Sequence, residues 1–122
     1  MIEIEERALA ALEAAGPDGP VVMLNLLRFR PDGGRESYRR YVEHLGRGVR
    51  ERYGMEVVYL GEGGPALVAE DGQAWDTVAL VRYPSRQAFV DMVRDPEYRA
   101  GAHFRSAALL EAVLQPTTPP AV

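Results

Sequence analysis

Val21-Val22-Met23-Leu24-Asn25-Leu26-Leu27-Arg28-Phe29-Arg30 is the stretch that decides the architecture. In an extended chain Val21, Met23 and Leu27 point to one face, and Val22, Leu24 and Leu26 to the other. A strand that is apolar on both faces is covered on both. Pro31-Asp32-Gly33-Gly34 then closes it with strong turn chemistry.

Upstream, residues 3–15 are rich in Ala, Glu and Leu, all good helix formers, and Ile4, Ala8, Leu12 and Ala15 recur at helical spacing. Gly16-Pro17-Asp18-Gly19-Pro20 breaks that helix. Downstream, Tyr38, Tyr41, Val42, Leu45, Val49 and Tyr53 form one apolar stripe and predict a single helix over 35–53, with Gly54 after it. Residues 55–60 read as a second strand. Residues 66–69 read as a short extra strand, followed by a turn at Asp71-Gly72. The next main strand is read over 75–83. Ser85 then caps a helix over 86–94. Asp95-Pro96-Glu97 starts another helix, to about residue 108, with Asp as cap and Pro at the first position. Residues 109–115 read as the last strand.

The order is α, then β-α-β-β-α-β, the ferredoxin-like α+β arrangement. Residues 1–19 would be an N-terminal helix and turn, 20–116 the ferredoxin-like domain and 117–122 a flexible tail. That fold puts its helices on one sheet face and leaves the other bare. An apolar bare face on an isolated protomer is unfavourable, so the sequence predicts a homodimer through the sheet face, with two sheets packed face to face.

Composition narrows the chemistry by exclusion. The chain has 122 residues, with 14 basic and 18 acidic side chains, hence a formal charge of −4. It has no Cys, so no disulfide, thiolate nucleophile or iron–sulfur cluster. All its basic residues are Arg, which excludes a Schiff-base lysine and a Walker phosphate loop. With only His44 and His103, a three-histidine zinc site in one chain is impossible. No metal or cofactor is expected. The negative charge argues against nucleic-acid binding. The apolar runs are too short to span a membrane, and the acidic start has no signal-peptide pattern, so a cytoplasmic protein is expected.

Two sets of residues carry a family resemblance. The first is Met23-Leu24-Asn25-Leu26-Leu27-Arg28-Phe29 followed by Tyr38-Arg39-Arg40-Tyr41. The second is Tyr83-Pro84-Ser85 with Ala88-Phe89, then Asp95-Pro96-Glu97-Tyr98 and Arg105. Together, over residues 20–116, they resemble the domain of unknown function 1330 family of the dimeric α/β-barrel superfamily. The resemblance implies a ferredoxin-like protomer that dimerises through its sheet into a dimeric α/β barrel, and it implies no particular reaction. The N-terminal helix and the 66–70 insertion are additions to the family's minimal pattern.

Arg105 is the most informative single residue. On its helix it shares one side with Tyr98, Gly101, Ala102 and Ala108, an inward-packing set. A buried Arg needs an anion. Either it pairs with a carboxylate, Asp76 or Glu97, or its planar fork clamps a ligand's carboxylate or phosphate. Asn25, the chain's sole Asn, interrupts an apolar strand. Its amide either bonds to neighbouring backbone or lines a cavity. Trp75 is a core or interface aromatic. Alternatively, by analogy with cofactor-free monooxygenases of the superfamily, it joins Asn25 and Arg105 around an aromatic substrate. Tyr41 and Tyr38 lie on the packed stripe, and a tyrosine can keep its hydroxyl at a pocket mouth. The ligand-binding candidates are therefore Asn25, Tyr41, Trp75, Tyr98 and Arg105, with no catalytic residue assigned. His44 flanks the helix stripe, and His103 faces away from Arg105, toward solvent.

Three functions remain open. One is a module that binds a small acidic or aromatic metabolite between sheet and helices. Another is a cofactor-independent oxygenase or isomerase using the same pocket. The third is a ligand-free structural or regulatory dimer.

Overall fold

In the computed structural model, which describes residues 2–120, helix α1 (Glu6–Ala14) precedes strand β1 (Val21–Phe29). Helices α2 (Gly34–Leu45) and α3 (Val49–Arg52) lead into strands β2 (Glu56–Glu62) and β3 (Thr77–Tyr83). Helices α4 (Arg86–Arg94) and α5 (Pro96–Ala108) lead into β4 (Leu109–Thr117). The sheet order is β2-β3-β1-β4, and every pairing is antiparallel. This is the ferredoxin-like α+β fold. No helix among the described residues is long and apolar enough to cross a membrane.

The alternation on β1 sorts the two layers. Val21, Met23, Asn25 and Leu27 are buried beneath the helices, and the residues between them are half-exposed on the other face. On that bare face Leu24 pairs with Leu80, and Leu26 with Val78 on one side and Val113 on the other. The Arg28–Glu111 ion pair edges this apolar row at one end.

Local chemistry places the helices as the sequence predicts. Ser85 Oγ accepts the Ala88 N–H at 2.9 Å, and Asp95 Oδ1 accepts the Glu97 N–H at 2.8 Å. Pro96 occupies the first turn of α5, where its missing N–H is no loss. Asp18 adds a cap from outside the helix, its carboxylate accepting the N–H groups of Arg86 at 2.8 Å and Gln87 at 3.3 Å. Arg94 bridges back to Glu6 and Glu13, so α1 is latched along α4.

Four expectations change. The helix predicted over 35–53 is two helices, because the chain turns at Gly46-Arg47-Gly48. Gly48 takes φ of 130°, a conformation that suits glycine and would not continue a helix. The extra strand predicted over 66–69 does not form. β2 and β3 pair directly through Gly61↔Val78 and Glu62↔Thr77, so the intervening chain loops out beyond the end of that ladder. Leu67 and Val68 there are 100% and 95% exposed. β3 begins at Thr77, leaving Trp75 before it, half-buried. At the other end β4 runs through Thr117, whose Oγ1 donates to the Val22 carbonyl at 2.7 Å. The ordered sheet thus takes in one residue assigned to the tail, and Pro116 is accommodated because β4 is an edge strand. Of the predicted tail, Ala121 and Val122 lie outside the described residues.

Candidate functional site

A cavity of about 430 Å³ lies between the helix-side face of the sheet and helices α2, α4 and α5. That is within the range of small-molecule sites. The strands form its floor with side chains of one parity: Asn25 from β1, and Thr77, Ala79, Val81 and Tyr83 from β3. The helices supply Tyr38, Tyr41, Tyr98 and Arg105. Exposed Arg35, Arg39, Arg50 and Glu62 mark where it meets solvent.

Arg105 is 7% exposed. Neither carboxylate that the sequence offered it is available. Asp76 Oδ2 accepts the Phe29 N–H at 2.9 Å, and Glu97 is engaged by Arg52 at 2.7 Å. Among the described residues the guanidinium makes one hydrogen bond, from Nη1 to the carbonyl of Ile2 at 2.7 Å. The cavity wall therefore contains a buried cation with no ion-pair partner among the described residues. An acidic protein has gathered four arginines and one glutamate around this space, the reverse of its overall balance.

Asn25 Nδ2 donates to the Met23 carbonyl at 3.3 Å, and the residue lines the cavity. Tyr41 and Tyr98 line it as a hydrogen-bonded pair. Trp75 does not line it. The parity that the sequence assigned to Trp75 is correct for Thr77, Ala79, Val81 and Tyr83, and the strand starts too late to bring Trp75 in. Thr77 and Tyr83 were thus legible as cavity residues from that alternation. The rim arginines were not, because they look like ordinary solvated helix positions.

Burial pushes the phenols of Tyr41 and Tyr83 well above their ordinary range, and that of Tyr38 upward too. These groups stay protonated at neutral pH and act as hydrogen-bond donors. The wall is consequently rich in donors, and Glu62 at the rim is the sole carboxylate on it among the described residues. His44 lies outside it, its Nε2 2.6 Å from the Glu97 carbonyl where α2 meets α5, and His103 is exposed. Among the described residues no group of three His, Cys, Asp or Glu side chains is placed to hold a metal ion.

No family model matches this sequence, and no curated protein does either. Solved structures do. A dimeric ferredoxin-like protein of unknown function from Jannaschia sp. CCS1 is 13% identical, with 83% of this chain and 100% of that one covered and a TM-score of 0.60. One from Bacteroides fragilis, also dimeric and of unknown function, is 14% identical over 81% and 95% of the two chains, with a TM-score of 0.53. At these identities the likeness concerns the fold alone. The RPA0582 protein of Rhodopseudomonas palustris, of unknown function, is 35% identical over 99% of this chain and 98% of its own, with a TM-score of 0.90. At that identity, and over essentially the whole of both chains, the likeness is one of descent: this chain belongs to the family of the RPA0582 protein.

Proposed function

We propose that this protein binds a small acidic or aromatic metabolite in the cavity between sheet and helices. The observation that supports it most is Arg105, a buried cation on the cavity wall with no carboxylate partner among the described residues. A buried charge without a counter-charge is costly, and an anionic ligand removes that cost. The apolar floor (Ala79, Val81, Leu114) suits an aromatic or aliphatic body, and the surrounding phenols suit its acceptor atoms. Binding is favoured over turnover as an oxygenase or isomerase, because the phenols are held protonated and the wall has no His. Among the described residues that leaves the rim carboxylate of Glu62 as the one base on the wall, away from the buried floor.

The unit of function on this reading is a cytoplasmic homodimer. The bare apolar row of Leu24, Leu26, Val78, Leu80 and Val113 is the surface a second copy would cover, and the dimeric ferredoxin-like neighbours are consistent with that. Membership of the domain of unknown function 1330 family is part of the same proposal. It is carried by the Asn25-Leu26-Leu27-Arg28-Phe29 and Asp95-Pro96-Glu97-Tyr98 stretches.

A thermal-shift screen against carboxylates, phosphates and phenols tests the reading. A ligand at a hundredfold excess over its Kd adds about 2.7 kcal/mol of stability. In a domain of this size that shift is several degrees. The shift should disappear in Arg105→Met. A wild-type protein whose melting temperature responds to none of these compounds would favour the ligand-free dimer.

A further inference from the structure

The segment ahead of α1 has no regular secondary structure, yet its Ile4 lines the cavity. Ile2 packs with Leu27, Ala108 and Leu109, and Ile4 packs with the main core. Glu3 receives a hydrogen bond from Ser106 Oγ at 3.4 Å. A second, outer groove of about 380 Å³ lies between this segment, α1 and α5. Ile4, Tyr98 and Arg105 line both spaces, so they form the partition between cavity and groove.

The partition holds the cation. Arg105 Nη1 donates to the Ile2 carbonyl, while Nε and Nη2 have no partner among the described residues. A guanidinium recognises a planar carboxylate through two parallel N–H groups, and the Nε–Nη2 edge is such a pair. With Nη1 tied to the backbone, the fork is fixed before a ligand arrives, and little rotamer freedom is left to lose on binding.

We infer that residues 2–4 are a strap that aims Arg105, and that the ligand it is aimed at is a carboxylate with an apolar body. The inference rests on the binding reading above and adds to it a ligand class and a positioning element. The strap has two parts. The Ile2 carbonyl holds one edge of the guanidinium, and the Ile4 side chain closes the wall beside it. Bound carboxylate and ordered strap reinforce each other, because each is stronger when Arg105 is held still.

The test uses the full chain and two probes of one shape, 2-naphthoate and 2-naphthamide, titrated by calorimetry. Wild type should prefer the acid by about tenfold or more, the value of a charge-assisted bidentate contact. Ile4→Gly loosens the strap, and Glu3→Pro redirects the Ile2 carbonyl by restricting the residue before proline. Both changes lie outside regular structure, and circular dichroism verifies folding. The acid-to-amide preference should fall severalfold in each. A wall that merely packs would weaken acid and amide alike, so an unchanged ratio overturns the strap and leaves the pocket standing. Tighter acid binding in the variants overturns it differently, by making the Ile2 carbonyl a competitor. Equal wild-type binding of both probes removes Arg105 as anion anchor, and the strap with it. Absence of wild-type binding to either probe overturns the pocket for ligands of this class together with the inference.

Discussion

The hydroxyls of Tyr41 and Tyr98 lie 2.9 Å apart in the buried seam between α2 and α5, with their rings edge to face. One hydroxyl donates to the other, so one phenolic proton in the pair remains available to the cavity. The contact also ties the two helices together across the site.

Removing one hydroxyl leaves its partner without that bond. Tyr41→Phe and Tyr98→Phe should each cost about 1 kcal/mol in urea denaturation. The double variant should cost less than the two singles added together, because it leaves no orphaned hydroxyl. Strict additivity in the double-mutant cycle would show that the hydroxyls do not interact.

Stability should fall at alkaline pH. Burial holds the phenols of Tyr41 and Tyr83 above their ordinary range in the folded state only. Above about pH 10 the unfolded chain loses those protons while the folded chain keeps them, so unfolding gains and stability drops. Below that pH the contribution is fully present. The chain has no Cys or Lys, so tyrosines dominate side-chain titration in this range. Urea midpoints at about pH 8 and about pH 11 should differ more for wild type than for Tyr41→Phe.

Arg105→Met should leave the protein folded, with a stability change within about 1–2 kcal/mol. Methionine keeps the apolar stem and removes a buried charge that has no carboxylate partner among the described residues. A loss of about 3–5 kcal/mol would instead mark Arg105 as a member of a buried ion pair. Chemical denaturation without added ligand separates the two.

Leu26→Glu places a charge at the centre of the bare sheet face, between Val78 and Val113. On the homodimer reading it should convert dimer to monomer in sedimentation velocity. The helix-side core is on the opposite face and should survive, as far-ultraviolet circular dichroism would show. A wild-type protein that sediments as a monomer would remove that reading.

What the sequence makes legible here is what is decided locally. The two-faced apolar pattern of β1, the Ser85 cap and the Asp95-Pro96 start need only a few neighbours, and each stands where the residues place it. The inward side of α5 follows from its own periodicity, and Tyr98, Gly101, Arg105 and Ala108 are buried as expected. The misreadings concern pairing at a distance. Residues 66–69 have the composition of a strand, but a strand also needs a partner, and the strands on either side of them, β2 and β3, pair with each other. The helix stripe runs on through Gly46 and Gly48 because Tyr41, Leu45 and Val49 are buried whether or not the chain turns between them. Arg105 was recognisable as a cation in need of an acceptor. That its acceptor is a backbone carbonyl 103 residues away was not, since every residue type has one.

The placement of β1 also bears on how the chain acquires its structure. β1 comes early in this fold, and its final partner is β4, with Val22 and Thr117 joined across 95 residues. The sheet cannot close while the ribosome is still making α4 and α5. Until β4 emerges, the most apolar strand of the protein has one edge unpaired, and β3 itself arrives only after the 63–76 loop. Sheets of such long-range pairing fold slowly and pass through states with open edges. The nascent chain is therefore at its most aggregation-prone just before β4 emerges, when shielding by a chaperone would matter most.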